Sequence, residues 1–132
     1  MTLSFTPTIF YQKPTSCIIA GMNAFELSQL LEERENSGRA YLEFLRVPSL
    51  SMGLYVLPAG GTDHQQPHTE DEVYYVAAGR ASIRVGTEDR AVEPGSVVFV
   101  EAGIEHRFHT IREDLTVLVF FAPPEYSQRG ER

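Results

Sequence analysis

The hydrophobic pattern of this chain changes period once, near Gly38. Upstream of it, Leu27, Leu30, Leu31 and Arg34 fall at i, i+3, i+4 and i+7, the spacing of one helix face. Asn23 followed three residues later by Glu26 reads as a helix start, and Asn36-Ser37-Gly38 as a stop. The spacing predicts one helix over 24–35, short enough to depend on packing against a larger body. Residues 1–21 are uncharged apart from Lys13 and carry two short apolar patches, Ile9-Phe10-Tyr11 and Cys17-Ile18-Ile19-Ala20. Pro7 and Pro14 interrupt them, so each is an edge strand or an arm lying on the body.

Beyond Gly38 the apolar residues alternate or come in short runs. Segments 41–47, 52–57, 72–78, 80–85, 91–92, 96–100, 106–111 and 115–122 read as strands. Pro48-Ser49, Gly60-Gly61, Gly79, Gly86, Pro94-Gly95, Gly103 and Pro123-Pro124 separate them. Short strands with turns at this spacing, and no helical pattern between them, point to an all-β sandwich or barrel. The expected layout is an N-terminal arm and short helix over 1–40, a barrel over 41–124 and a polar, fraying tail over 125–132.

Composition narrows the function classes. The 132 residues are 42% hydrophobic, which suits one domain with a core of its own. Eighteen acidic against eleven basic residues give a net charge of −7, which repels nucleic-acid phosphates and anionic membranes. No run approaches the ~20 apolar residues of a membrane helix, and residues 1–14 lack the basic and apolar blocks of a secretory signal. A lone Cys17, read as a small apolar packing residue, suggests a reducing compartment, so a cytoplasmic location is expected. P-loop, dinucleotide and nucleophile-elbow motifs are absent.

What remains is a metal-site pattern. All four histidines lie in two segments, HQQPHTEDEVYYVAAG from His64 and GIEHRFH from Gly103. In extended backbone Gln66 and His68 share a face, and Pro67 favours that geometry at Gln66. After Thr69-Glu70-Asp71 a hairpin would return Glu72 to His68, and His106 opens a later strand. Two imidazoles and a carboxylate leave coordination positions open and suit iron, manganese, zinc or nickel. Gln66 is the candidate fourth ligand and His64 its substitute. Glu70 and Asp71 read as a solvated acidic face, and His109, of opposite parity to His106, as an outer-face residue. Tyr74, Phe108 and Tyr55 are candidates for the wall of the site. The two phenols are the weak candidates for a catalytic role, as hydrogen-bond donors near a metal.

These residues resemble the two sequence motifs of the cupin superfamily. Gly60, Gln66, His68, Glu72 and Gly79 are similar to G-x5-H-x-H-x3,4-E-x6-G, with Gln66 at the first histidine. Gly95, Glu101, Gly103, His106 and Thr110 are similar to G-x5-P-x-G-x2-H-x3-N, with Glu101 at the proline and Thr110 at the asparagine. The resemblance implies a single jelly-roll β-barrel and one divalent metal ion on His68, Glu72 and His106 near the barrel mouth. It also implies a small-molecule ligand or substrate and a homodimer. An amide is a weaker ligand than imidazole, so Gln66 points to a harder or more exchangeable metal. The expected function is a metal-dependent oxygenase or isomerase acting on a small oxygenated molecule. The alternatives are a non-catalytic binding module and a barrel whose site is vestigial.

Overall fold

The computed structural model describes residues 21–128. Cys17, the two apolar patches before it and residues 129–132 lie outside the described residues. The helix, α1, is Leu27–Ser37, three residues later than the capping pattern suggests. Glu26 stands at its N-cap in extended backbone without a side-chain cap bond. The start is displaced because Phe25 packs its ring edge-on against Phe44, at 4.9 Å between centroids. That contact outweighs the local cap at Asn23, as packing commonly overrides propensity. The helix stops where expected: Gly38 takes the left-handed conformation, φ 74°, and its N–H returns to Glu35 O. Leu30 is buried with Phe44 and Leu54, Leu31 is half-buried beside them, and Leu27 leaves the stripe for solvent.

Six strands follow among the described residues: β1 Tyr41–Val47, β2 Leu50–Leu57, β3 Asp71–Val85, β4 Glu88–Val92, β5 Val97–Val100 and β6 His106–Ala122. All pairings are antiparallel, in the order β1-β2-β6-β3-β4, with β5 on β3. This is the all-β architecture expected from the strand pattern, of the jelly-roll type that the cupin resemblance implies. Two pairs of expected strands are instead single long ones. β3 runs through Gly79 and β6 through 112–114, because both bend rather than break. Their register shifts three times between Val76 and Ser82 on β3, and such bulges turn a strand while keeping most of its ladder. Gly79 has φ 94°, and any Cβ there would strike the backbone of Asp114 on β6. On β6 the bend falls at Thr110, φ 50°, a conformation that β-branched residues rarely adopt. Asn tolerates it far better, a physical reason for the asparagine in the resembling motif.

Inward-facing residues of both halves of β3 and β6 form the main core, including Tyr74, Val76, Ile83, Phe108, Val117 and Phe121. α1 covers the opposite face of β1 and β2 through Leu30, Phe44 and Leu54. The segment after β6 does not fray over 125–128. Glu125 N–H donates to Ser51 Oγ at 2.9 Å, Arg46 Nη2 donates to Glu125 O at 2.9 Å, and Gln128 N–H donates to Glu70 Oε2 at 3.1 Å. Among the described residues no helix is long and apolar enough to cross a membrane.

Candidate metal centre

Three separate stretches deliver the ligand candidates. β3 presents Glu72 on the same inward face as Tyr74 and Val76, and all three are buried, as their parity requires. β6 opens at His106, buried beside Phe108 on the same face. His68 comes from the loop between β2 and β3, where Gly103 N–H donates to its carbonyl at 2.8 Å. That loop pairs with no strand, so no ladder fixes the facing of Gln66 relative to His68. His68 is buried, while Gln66 and His64 are exposed and lie on the wall of a cavity of about 510 Å³. Tyr41, Tyr55, Tyr74, Phe121, Glu125 and Arg39 also line it.

The side chains of His68, Glu72 and His106 converge, each offering a ligand atom within 4.8 Å of the other two. Glu72 Oε1 lies 3.1 Å from His106 Nε2 and 3.5 Å from His68 Nδ1. Neither contact meets hydrogen-bond geometry. His68 Nδ1, His106 Nε2 and both oxygens of Glu72 are buried atoms without a hydrogen-bond partner. Leaving such groups unsatisfied costs about 1–3 kcal/mol each, more when charged, so four in one place require a physical reason. A cation coordinated by the group is such a reason, and two imidazole nitrogens with one carboxylate are the right donors for it.

The electrostatics show carboxylates that favour positive charge beside them. Burial alone would raise the carboxyl of Glu72, yet the imidazoles of His106 and His68 hold it below the usual carboxylate range. Burial pulls both imidazoles down, and the carboxylates facing them reverse that. His68 is raised to about 9 by Glu125 and Glu72, and His106 is raised by Glu72 and the Ile104 carbonyl.

The phenol candidates are placed less freely than the sequence suggests. Tyr74 is fully buried and its hydroxyl donates to Gln65 Oε1 at 3.1 Å. Tyr55 donates to Asp63 Oδ1 at 2.6 Å. Burial first, and then the negative charge of Glu72 and Asp63, raises Tyr74, while burial and Asp63 raise Tyr55. Both stay protonated and act as hydrogen-bond donors.

Three residues escape the sequence reading. Asp63, buried, also accepts from Phe108 N–H at 2.9 Å and Gln65 Nε2 at 2.8 Å, tying the His68 loop to β6. Its place after Gly60-Gly61-Thr62 looks like any turn aspartate. Glu70, expected on a solvated face, is buried and accepts from Thr69 Oγ1 at 2.6 Å and from Gln128 N–H. Folding of the tail over it removes it from water. Glu125 reaches His68 Nε2 at 3.0 Å from beyond the last strand, where no pattern marks it. Asp71 stays exposed as expected, accepting from Ala102 N–H.

Comparisons with known proteins agree with this architecture. An uncharacterized protein of Streptomyces coelicolor is 57% identical over 104 residues, 79% of this chain and 99% of that protein. A Thermus thermophilus protein of known structure is 28% identical with a TM-score of 0.64, over 78% of this chain and 99% of its own. The DMSP lyase DddQ from Ruegeria pomeroyi is 26% identical with a TM-score of 0.58, over 63% of this chain and 46% of the lyase. The chain thus spans less than half of that lyase's length. The cupin domain family model matches residues 53–121, more than half of the chain, including His68, Glu72 and His106. The chain belongs to the cupin domain family.

Proposed function

We propose that this protein binds one divalent transition metal ion through His68, Glu72 and His106 and uses it to transform a small oxygenated organic molecule. The observation that carries the reading is the convergence of four buried donor atoms with no hydrogen-bond partner. A bound metal supplies Lewis-acid activation of a substrate oxygen, and activation of dioxygen if it is iron. The chain's own residues do the rest. The cavity holds a molecule of modest size. A substrate oxygen would have to take the Tyr74 and Tyr55 hydroxyls from Gln65 and Asp63, and Arg39 on the wall offers charge to a carboxylate. The reaction class on this reading is oxygenation or isomerisation, and the likeness to a lyase adds elimination.

One observation favours a second reading, a non-catalytic binding module. Both phenol hydroxyls are already engaged by Gln65 and Asp63, and their raised pKa values make them poor proton shuttles near neutral pH. Anaerobic reconstitution with Fe(II), Mn(II), Zn(II) or Ni(II), followed by a panel of small acids, phenols and sugar derivatives, separates the two. Metal-dependent turnover supports the enzyme. Ligand-induced thermal stabilisation without turnover supports the binder.

The reading places the protein in the cytoplasm, as a homodimer that buries the outward strip of Tyr75, Val97 and Phe99. Light scattering that returns the mass of one chain would remove the dimer from the proposal.

A further inference from the structure

Glu125 enters the site from outside the strands. Its backbone is pinned on both sides, N–H to Ser51 Oγ and C=O to Arg46 Nη2, and its carboxylate lies 3.0 Å from His68 Nε2. Tyr126 stacks on the same imidazole at 5.4 Å. A carboxylate only accepts hydrogen bonds, and of the two His68 nitrogens only Nε2 makes a hydrogen bond to one, so Nε2 is the nitrogen that keeps its hydrogen when a cation displaces the other proton. The other nitrogen, Nδ1, is the one that faces Glu72 and lacks a hydrogen-bond partner. His106 is arranged in the opposite sense. Its Nδ1 donates to the Ile104 carbonyl at 2.8 Å, which leaves Nε2 facing Glu72. Each imidazole therefore has an outer acceptor that fixes the tautomer it takes once a cation replaces its inner proton, and only His68 relies on a side chain for it.

We infer that Glu125 is the positioning residue of the metal centre, holding hydrogen on His68 Nε2 so that His68 coordinates through Nδ1 while His106 coordinates through Nε2. The inference rests on the metal-binding reading proposed above and deepens it. The segment after the last strand becomes a working part of the centre. Gln66, standing where the resembling motif has histidine, is exposed on the cavity wall, so ligand orientation falls to a residue far along the chain.

The test uses the full chain loaded with Zn(II), in three forms: wild type, Glu125→Ala and Glu125→Gln. The backbone contacts of Glu125 do not involve its side chain, so both variants keep the tail anchored, which a thermal melt of the metal-free proteins checks. Competition with a chromogenic chelator is expected to show Zn(II) affinity falling about 10–100-fold in Glu125→Ala. The loss should be smaller in Glu125→Gln, whose amide oxygen still accepts from Nε2–H. Long-range proton–nitrogen NMR correlation on the wild type should place zinc on His68 Nδ1 with hydrogen on Nε2, and the reverse on His106. Coordination of His68 through Nε2, or unchanged affinity in Glu125→Ala, overturns the inference while leaving the metal reading in place. A wild type that binds none of the four metals overturns both.

Discussion

β6 carries two histidine–carboxylate contacts three residues apart, and they behave in opposite ways. His106 meets Glu72 at 3.1 Å, with both side chains 1% exposed. His109 meets Asp89 at 2.7 Å, with side chains 27% and 36% exposed. By distance the outer pair is the better contact. It is also complete. His109 Nδ1 pairs with Thr110 Oγ1 and Nε2 with Asp89, which in turn accepts from Arg84 and is held below the usual carboxylate range by His109 and then Arg84. Solvent supplies whatever else is needed, and such surface pairs contribute little. The inner pair has the worse geometry, and its facing atoms are buried without a hydrogen-bond partner. An imidazole beside a carboxylate is therefore not a site signal. Donor capacity that burial leaves unspent is.

The comparison breaks if the two pairs respond alike to substitution. Glu72→Ala should abolish the stabilisation of roughly 4 kcal/mol that metal confers at a thousand times its Kd, while Asp89→Ala keeps it. Differential scanning fluorimetry with and without metal reads this directly.

A pH titration of the metal-free protein sharpens the contrast. His68 is raised in the folded state to about 9 by Glu125 and Glu72, against the pull of burial. A raised imidazole stabilises while it is protonated. Its contribution, on the order of 3 kcal/mol at most, is complete below the unfolded value of about 6.5 and is lost as pH rises through 9. Glu72, lowered, acts in the other direction: its contribution is present above about 4.3 and is lost as pH falls. Chemical denaturation across pH 4–10 should therefore show greatest stability near pH 5–6.5. His68→Gln should flatten the alkaline limb.

Asp63 links the inner pair to its scaffold, so Asp63→Asn should cost about 2 kcal/mol of folding stability through lost charge-assisted acceptors. It should also weaken metal binding by loosening the His68 loop. A denaturation midpoint that does not move would show that the loop is held by other means. The smallest effect belongs to the outer pair's neighbour. Thr110→Asn should stabilise the protein by ~1 kcal/mol by relieving the left-handed backbone, and leave metal affinity unchanged.

Much of this centre is legible in the sequence, for a local reason. Glu72 and His106 sit in strands whose alternation fixes which way they point, and glycines mark where those strands begin and turn. His68 is less secure, since its loop belongs to no strand and no ladder fixes where its side chain points. The rest depends on contacts distant in sequence. Glu70 and Asp71 are adjacent acids of similar character, and only the tail folding over Glu70 separates their fates. Glu125 lies 57 residues from His68, and no period or spacing links them. The continuity of β3 and β6 is hidden for a related reason. Gly79 reads as a break, and only the backbone of Asp114 lying against it shows that it permits a bend. The helix start at Leu27 likewise follows from Phe25 finding Phe44.

The most direct measurement is metal stoichiometry by equilibrium dialysis against Mn(II), Fe(II), Zn(II) and Ni(II) in turn, for wild type, His106→Ala and His109→Ala. The account expects one equivalent of at least one of these metals in wild type and in His109→Ala, and no tight site in His106→Ala. One equivalent retained by His106→Ala, or none bound by wild type, would contradict it.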